Sequence, residues 1–187
     1  DWHVVKGDWP QHTIPCILGH EGAGIVEEVG SQIAGVNEGD HVILAWKRHC
    51  GHCEMCQKGF PNLCDLPAYD SGLPRFSGCA ETMRRFVGMG TFSTSVLVPQ
   101  DAVVPIGRDI PFAQAALIGC GVMTGVGAVI NTAKVEPGSS VAIFGCGGVG
   151  LNCVQGAVLA SAEPIIAVDI HDRKLEMAKE FGATHTI

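Results

Sequence analysis

The sequence predicts a mixed β and α/β chain: a small β-barrel or sandwich followed by the first half of a doubly wound parallel sheet. Three observations carry that expectation. Brief apolar runs broken by Pro and Gly turns fill residues 1 to about 105. From about Pro111 the apolar runs lengthen to helical size. An apolar run over 140–144 then enters Gly145-Cys146-Gly147-Gly148-Val149-Gly150, a glycine turn of the kind that joins a buried parallel strand to a helix.

Taken in order, the first part offers short strands at Gly24-Ile25-Val26, His41-Val42-Ile43-Leu44, Ser95-Val96-Leu97-Val98 and Ala102-Val103-Val104, with Glu38-Gly39-Asp40 as a turn between two of them. Helical stretches are expected over 113–120 and 122–135, the second ended by Glu136-Pro137-Gly138. Beyond them the pattern reads strand 140–144, helix 149–160, strand 164–168, helix 171–181 and a third strand beginning near Thr184, a β-α-β-α-β order. The uncharged runs 110–133 and 141–162 are long enough to suggest membrane spans. Their glycines divide each into strand-length or short-helix pieces, and strands covered on both faces are uniformly apolar, so a folded core is expected instead.

Composition narrows the function. Of 187 residues, 47% are hydrophobic and 17% charged, which suits a globular core rather than a disordered chain. A net charge of −7 disfavours a nucleic-acid backbone as partner. The first residue is Asp1, and no signal-type segment follows it, so the nine cysteines are expected to serve metal binding or chemistry in a cytoplasmic protein.

The glycine turn carries the first chemistry. Gly145 makes the turn, Gly147 lets a pyrophosphate approach the backbone, and Gly150 lets helix pack on strand; Gly148 and Val149 complete the loop. The helix N-terminus that follows aims free N–H groups at phosphates. Asp169 ends the next strand about twenty residues later, where a carboxylate accepts hydrogen bonds from an adenosine ribose. That carboxylate would repel a 2′-phosphate, so NAD is expected rather than NADP.

Cys50, Cys53, Cys56 and Cys64 follow a C-x2-C-x2-C-x7-C pattern. Four thiolates so near in sequence can surround one tetrahedral zinc ion, and with no His among them the site reads as closed and structural. Disulfide-paired or simply buried cysteines and a redox CxxC pair are the alternatives. Lys47, Arg48 and Lys58 are expected to offset the negative charge of the thiolates, with His49 and His52 as solvent-facing neighbours. Cys16, Cys79, Cys146 and Cys153 read as structural, and His12, His41, His171 and His185 receive no role.

Leu18-Gly19-His20-Glu21-Gly22-Ala23-Gly24-Ile25-Val26, the cysteine loop, Gly119-Cys120-Gly121-Val122 with Thr124-Gly125, and the glycine turn together resemble the zinc-containing medium-chain alcohol dehydrogenases. The resemblance covers essentially the whole chain. It implies a GroES-like β-barrel catalytic domain over 1–121 and the first half of a Rossmann NAD-binding domain over 122–187. It further implies a catalytic zinc held by His20 and Cys120 beside the structural zinc of the four-cysteine loop. A third ligand, Cys, would stand three residues before Asp1 and a Ser or Thr immediately before it. The chain is therefore expected to be part of a family member, cut at both ends and inactive as a piece.

The remaining roles also come from the resemblance. Asp1 orients the His20 imidazole, His3 relays the alcohol proton, Glu21 lies behind the zinc, and Trp46 lines the substrate pocket. Thr124 contacts the nicotinamide side and Lys174 joins Asp169 on the ribose. The implied activity is hydride transfer from a primary alcohol, as a zinc-bound alkoxide, to NAD, giving an aldehyde. The stretches 46–64 and 90–99 resemble the branch that includes thiol-adduct formaldehyde dehydrogenases, so oxidation of an S-(hydroxymethyl) thiol adduct is the alternative. The intact parent is expected to be a homo-oligomer, dimer or tetramer. Two non-enzyme readings stand beside these: a zinc-finger-like nucleic-acid module, opposed by the acidic charge, and an inactive zinc-binding structural fragment.

Overall fold

The computed structural model describes residues 1–9, 15–65 and 83–187. His12 and Cys79 lie outside the described residues. The chain forms two compact units, Asp1–Gly119 and Cys120–Ile187.

The first unit opens with a helical turn, α1 (Trp2–Lys6), where the sequence suggests only strands and loops. Gly7, at φ 79°, ends it in the left-handed conformation that glycine adopts without strain. Two short sheets follow. β1 (Cys16–Ile17) has a later parallel partner; β2 (Ala23–Ile25) and β3 (His41–Leu44) are antiparallel, with Gly24 opposite Val42. The turn between β2 and β3 is closed by Gly39 at φ 84°, whose N–H donates to the Val26 carbonyl at 2.8 Å. The cysteine loop contributes one turn, α2 (Glu54–Gln57), and a 3-10 turn over Pro61–Leu63. β4 (Arg84–Arg85) is the partner of β1, and β5 (Val103–Pro105) pairs with β3, placing Ile43 opposite Val104.

β3 is therefore the central strand of its sheet, and Val42, Ile43 and Leu44 are all buried. Each such side chain contributes roughly 1.5–3 kcal/mol when fully removed from water. Val4, Leu44, Phe86, Val87, Met89 and Ala102 form the core of the unit, with Leu18, Trp46, Val96 and Val98 against it. The strand expected over 95–98 is a correction: these residues join no sheet ladder among the described residues. Val96 and Val98 still pack on the core, but the Leu97 carbonyl accepts from the Arg85 guanidinium, and Pro99 follows with no N–H to donate.

The apolar stretch after Pro111 divides into α3 (Phe112–Leu117), a π turn over Ile118–Val122, α4 (Met123–Gly127) and a second π turn over Ala128–Thr132. By length and composition alone Phe112–Thr132, with mean hydropathy 1.7, would suit a membrane span. In the second unit, however, α4 lies close on the long helix that follows the glycine turn. A Cβ on Gly125 would come within 2.5 Å of Asn152 and of the Val149 carbonyl, and one on Gly156 would meet Val126 at 3.0 Å. Small residues on both helices permit this close approach.

The rest of the second unit follows the expected order. β6 (Val141–Phe144), α5 (Gly148–Leu159), β7 (Ile165–Val168), α6 (Asp172–Glu180) and β8 (His185–Thr186) alternate, and the strands pair in parallel in the order β6-β7-β8. Parallel neighbours need a crossover, and α5 and α6 supply it. Ile143, Leu151, Val154, Ala157, Ile165, Ala167 and Ala178 close the core. Cys146 is 1% exposed and belongs to this core, as its structural reading requires.

Candidate metal and dinucleotide sites

The cysteine loop brings its four sulfurs together. The Sγ atoms of Cys50, Cys53, Cys56 and Cys64 all lie within 4.8 Å of one another, and none of the four is in a disulfide. Cys53 and Cys64 are 3.8 Å apart at sulfur. A tetrahedral ion with zinc–sulfur bonds of about 2.3 Å sets its sulfurs about 3.8 Å apart, so this spacing suits a zinc cage, whereas a disulfide would need about 2.05 Å.

Backbone donors are already turned to the thiolates. The Cys50 N–H donates to Cys64 Sγ at 3.3 Å, and the Cys53 N–H donates to Cys50 Sγ at 3.2 Å. N–H groups of Asp65 and Cys56 lower the Cys53 thiol, while desolvation raises Cys56. His52 and His49 are both exposed, as expected, and the His52 ring meets the Cys50 carbonyl at 2.8 Å. The expected charge offset is corrected in part. Arg48 Nε donates to both carboxylate oxygens of Asp101 at 3.0 Å, and Lys58 pairs with Glu54 on the exposed face of α2. Lys47 does reach the loop, donating to the Cys64 carbonyl at 2.8 Å.

In the same unit, His20 sits in the loop between β1 and β2. Its Nδ1 lies 2.8 Å from Asp1 Oδ2, and Asp1 Oδ1 accepts from the Gly19 N–H at 2.6 Å. One carboxylate thus holds both the imidazole and the backbone that carries it. With Nδ1 as donor, the ring's lone pair is on Nε2, the arrangement suited to metal ligation. Burial lowers the His20 pKa, in the direction of the neutral ring that ligation needs, and the neighbouring Glu21 opposes that shift. Phe86 meets the ring edge-on, at 5.6 Å between centroids.

The loop is clamped from a distance that the sequence does not reveal. Thr91 N donates to the Gly19 carbonyl at 3.1 Å, Phe92 N to the Leu18 carbonyl at 2.9 Å, and Thr91 Oγ1 to the Glu21 carbonyl at 3.0 Å. Gly19, at φ 93°, leaves no room for a side chain, because a Cβ would fall 2.5 Å from Thr91 Oγ1. The clamp and the ligand loop are separated by 70 residues, so no local pattern marks it. Trp46 packs against the core of the unit, and His3 is exposed, 3.2 Å from Asp8 Oδ2. Cys120 follows Gly119 within the π turn. A Cβ on Gly119 would overlap the Leu44 carbonyl at 2.3 Å, so the chain passes directly over β3 just before Cys120.

The second unit holds the glycine turn. Gly145 is at φ 93°, and a Cβ on Gly150 would fall 1.8 Å from the Gly145 carbonyl oxygen. Those two glycines fix the turn itself. Gly147 and Gly148 meet nothing within 4 Å at their Cβ positions, so open space faces the backbone at the start of α5. A cradle of bare backbone at a helix N-terminus fits a dinucleotide pyrophosphate.

Asp169 stands at the end of β7, with its side chain only 4% exposed. It accepts from Cys146 N at 2.8 Å and from His171 N at 3.0 Å, and Lys174 Nζ lies 3.5 Å away. The Cys146 N–H, above all, pulls the carboxyl below its ordinary range, with His171 and Lys174 acting in the same sense. An ionised carboxylate has about four acceptor positions, which leaves capacity for a ribose hydroxyl. Thr124 lies on α4.

Comparison with known proteins agrees with both units. Residues 1–108 match the alcohol dehydrogenase GroES-like domain, and residues 148–187 match the zinc-binding dehydrogenase family. An S-(hydroxymethyl)glutathione dehydrogenase of Escherichia coli O1:K1 / APEC is 43% identical over 194 residues, which cover 100% of this chain and 53% of that protein. The chain spans about half the length of the curated relatives it matches. Among solved structures, an alcohol dehydrogenase zinc-binding domain protein from Burkholderia ambifaria superposes with a TM-score of 0.89 at 36% identity, over 98% of this chain and 52% of that one. Benzyl alcohol dehydrogenase from Acinetobacter calcoaceticus gives 0.84 at 36% identity, over 99% and 52%. With a GroES-like unit bearing a four-cysteine zinc site and a Rossmann-type parallel sheet after it, the chain belongs to the zinc-containing medium-chain alcohol dehydrogenase family.

Proposed function

We propose that the protein is an NAD-dependent zinc alcohol dehydrogenase that takes a hydride from a primary alcohol and yields the aldehyde. The observation that carries this is the Asp1–His20 pair, a carboxylate-held imidazole in the sequence frame of a zinc ligand, on a chain that also bears the dinucleotide turn. When bound, zinc would acidify the alcohol hydroxyl and NAD would accept the hydride.

The chain's own residues divide the remaining work. His20 and Cys120 would hold the catalytic metal, with Glu21 beside His20. Cys50, Cys53, Cys56 and Cys64 would hold the structural one. Asp1 fixes the His20 tautomer. His3, exposed and partnered by Asp8, has the solvent access to pass a proton outward. Trp46 would bound the alcohol's apolar part. Gly145, Gly147, Gly148, Val149 and Gly150 would seat the pyrophosphate, Asp169 and Lys174 the ribose, and Thr124 the nicotinamide side. Ile170, 92% exposed beside Asp169, offers an apolar surface to the adenine. We assign residues 1–121 to the catalytic domain and 122–187 to the NAD-binding domain. Subunit association as a dimer or tetramer, and a cytoplasmic location suited to metal-binding thiols, belong to the same proposal.

A second substrate reading has specific support, because a relative at 43% identity is an S-(hydroxymethyl)glutathione dehydrogenase. The deciding assay follows NADH formation with a series of primary alcohols, benzyl alcohol included, against S-(hydroxymethyl)glutathione. The same assay on His20→Ala tests the chemistry itself. Turnover should vanish while the four-cysteine zinc is retained; turnover at the parent rate would refute the assignment of His20.

A further inference from the structure

We infer that Lys47 is a positioning residue for the four-cysteine metal centre, fixing the ligand that closes the cage. Cys50, Cys53 and Cys56 lie close together in sequence around α2, so local chain geometry gathers them. Cys64 arrives separately, from the 3-10 turn over Pro61–Leu63, and is the one buried ligand of the four. The local turn holds the Cys64 N–H, which donates to the Pro61 carbonyl at 3.1 Å, while the Cys64 carbonyl is met from another segment.

Lys47 meets that carbonyl from the stem that leaves β3. Its Nζ donates to the Cys64 carbonyl at 2.8 Å. The sulfur of Cys64, held in place by that contact, accepts the Cys50 N–H at 3.3 Å and stands 3.8 Å from Cys53 Sγ. The stem is itself anchored: the next residue, Arg48, is paired with Asp101 just before β5. Four thiolates around a divalent ion leave a net charge of −2, and a half-buried ammonium on a ligand residue's own carbonyl offsets part of it. Lys58 lies nearer to the cysteines in sequence, yet its ammonium is engaged by Glu54 at the surface. Position, rather than proximity along the chain, separates the two lysines.

The test loads the chain with Co2+ and follows decay of the thiolate-to-cobalt absorption under excess EDTA. Lys47→Met keeps the aliphatic stem and removes the charge and donor, and should release metal about tenfold faster, the lower end of what loss of an outer partner costs a metal site. Lys47→Arg restores a charged donor and should recover most of the parent's retention. Lys58→Met makes the same change of net charge and should release at the parent rate. A Lys47→Met chain that cannot be loaded, while Lys47→Arg can, is the same effect at its limit. Release from Lys47→Met at the parent rate, equal acceleration by Lys58→Met, or failure of Lys47→Arg to recover anything would each overturn the inference.

Discussion

Two glycines of one turn should fail in opposite ways when each gains a methyl group. At Gly150 a Cβ would stand 1.8 Å from the Gly145 carbonyl oxygen and 2.9 Å from its carbon, whereas ordinary contact begins at 3.4 Å. The obstacle is backbone, so strand β6 and helix α5 must separate by more than an ångström. Overpacking of this kind costs about 1–3 kcal/mol or more, against a gain of at most about 1 kcal/mol from replacing Gly in a helix. Gly150→Ala should therefore lower the unfolding midpoint of the second unit by several degrees, at about 2–4 °C per kcal/mol for a chain of this size. At Gly147 nothing lies within 4 Å, so Gly147→Ala should leave that midpoint little changed. The same methyl would stand where the pyrophosphate approaches the backbone, so NAD affinity should fall tenfold or more. Differential scanning calorimetry and isothermal titration with NAD read the two effects separately. A Gly150→Ala chain as stable as the parent, or a Gly147→Ala chain that binds NAD normally, would refute the division of labour in the turn.

Two further outcomes follow from the polar contacts. Asp169 has its pKa lowered in the fold, chiefly by the Cys146 N–H, so its contribution to stability is complete above the unfolded value of 3.8 and is lost as pH falls through the lower folded value. Melting curves taken from pH 5 downward should show that acid loss in the parent and a shallower one in Asp169→Asn; identical slopes would remove Asp169 as the lock on the turn. Thr91→Val deletes the hydroxyl that binds the Glu21 carbonyl and should cost about 1 kcal/mol in urea unfolding of the first unit, with Thr91→Ser near the parent. Equal stability of the two variants would show that the hydroxyl does not hold the loop.

Features that depend on a few neighbouring residues are legible in the sequence. The glycine turn, the helix after it and the strand that ends in Asp169 follow from chain geometry over short spans, and they appear where expected. The cysteine cluster is equally local, since one loop carries all its sulfurs. The barrel-like unit is less legible. Its strands are two to four residues long, too short for alternation to declare itself, and residues 95–98 have the composition of a strand but pair with no strand among the described residues. α1 leaves no mark in the pattern, because five residues carry no helical period.

The sequence alone determined what the residues can do chemically: four thiolates for a closed metal site, a bare-backbone turn for a pyrophosphate, an acidic strand end for a ribose. Tertiary structure decided which groups restrain them. Three cations near the cysteines look equivalent in sequence, but Lys47 donates to a ligand residue's carbonyl, while Arg48 pairs with Asp101 and Lys58 with Glu54. Asp1 and Thr91, far apart in the chain, converge on the loop that carries His20. Ligand chemistry is a property of side-chain type and local spacing, whereas orientation is set by hydrogen bonds between segments that only folding brings together.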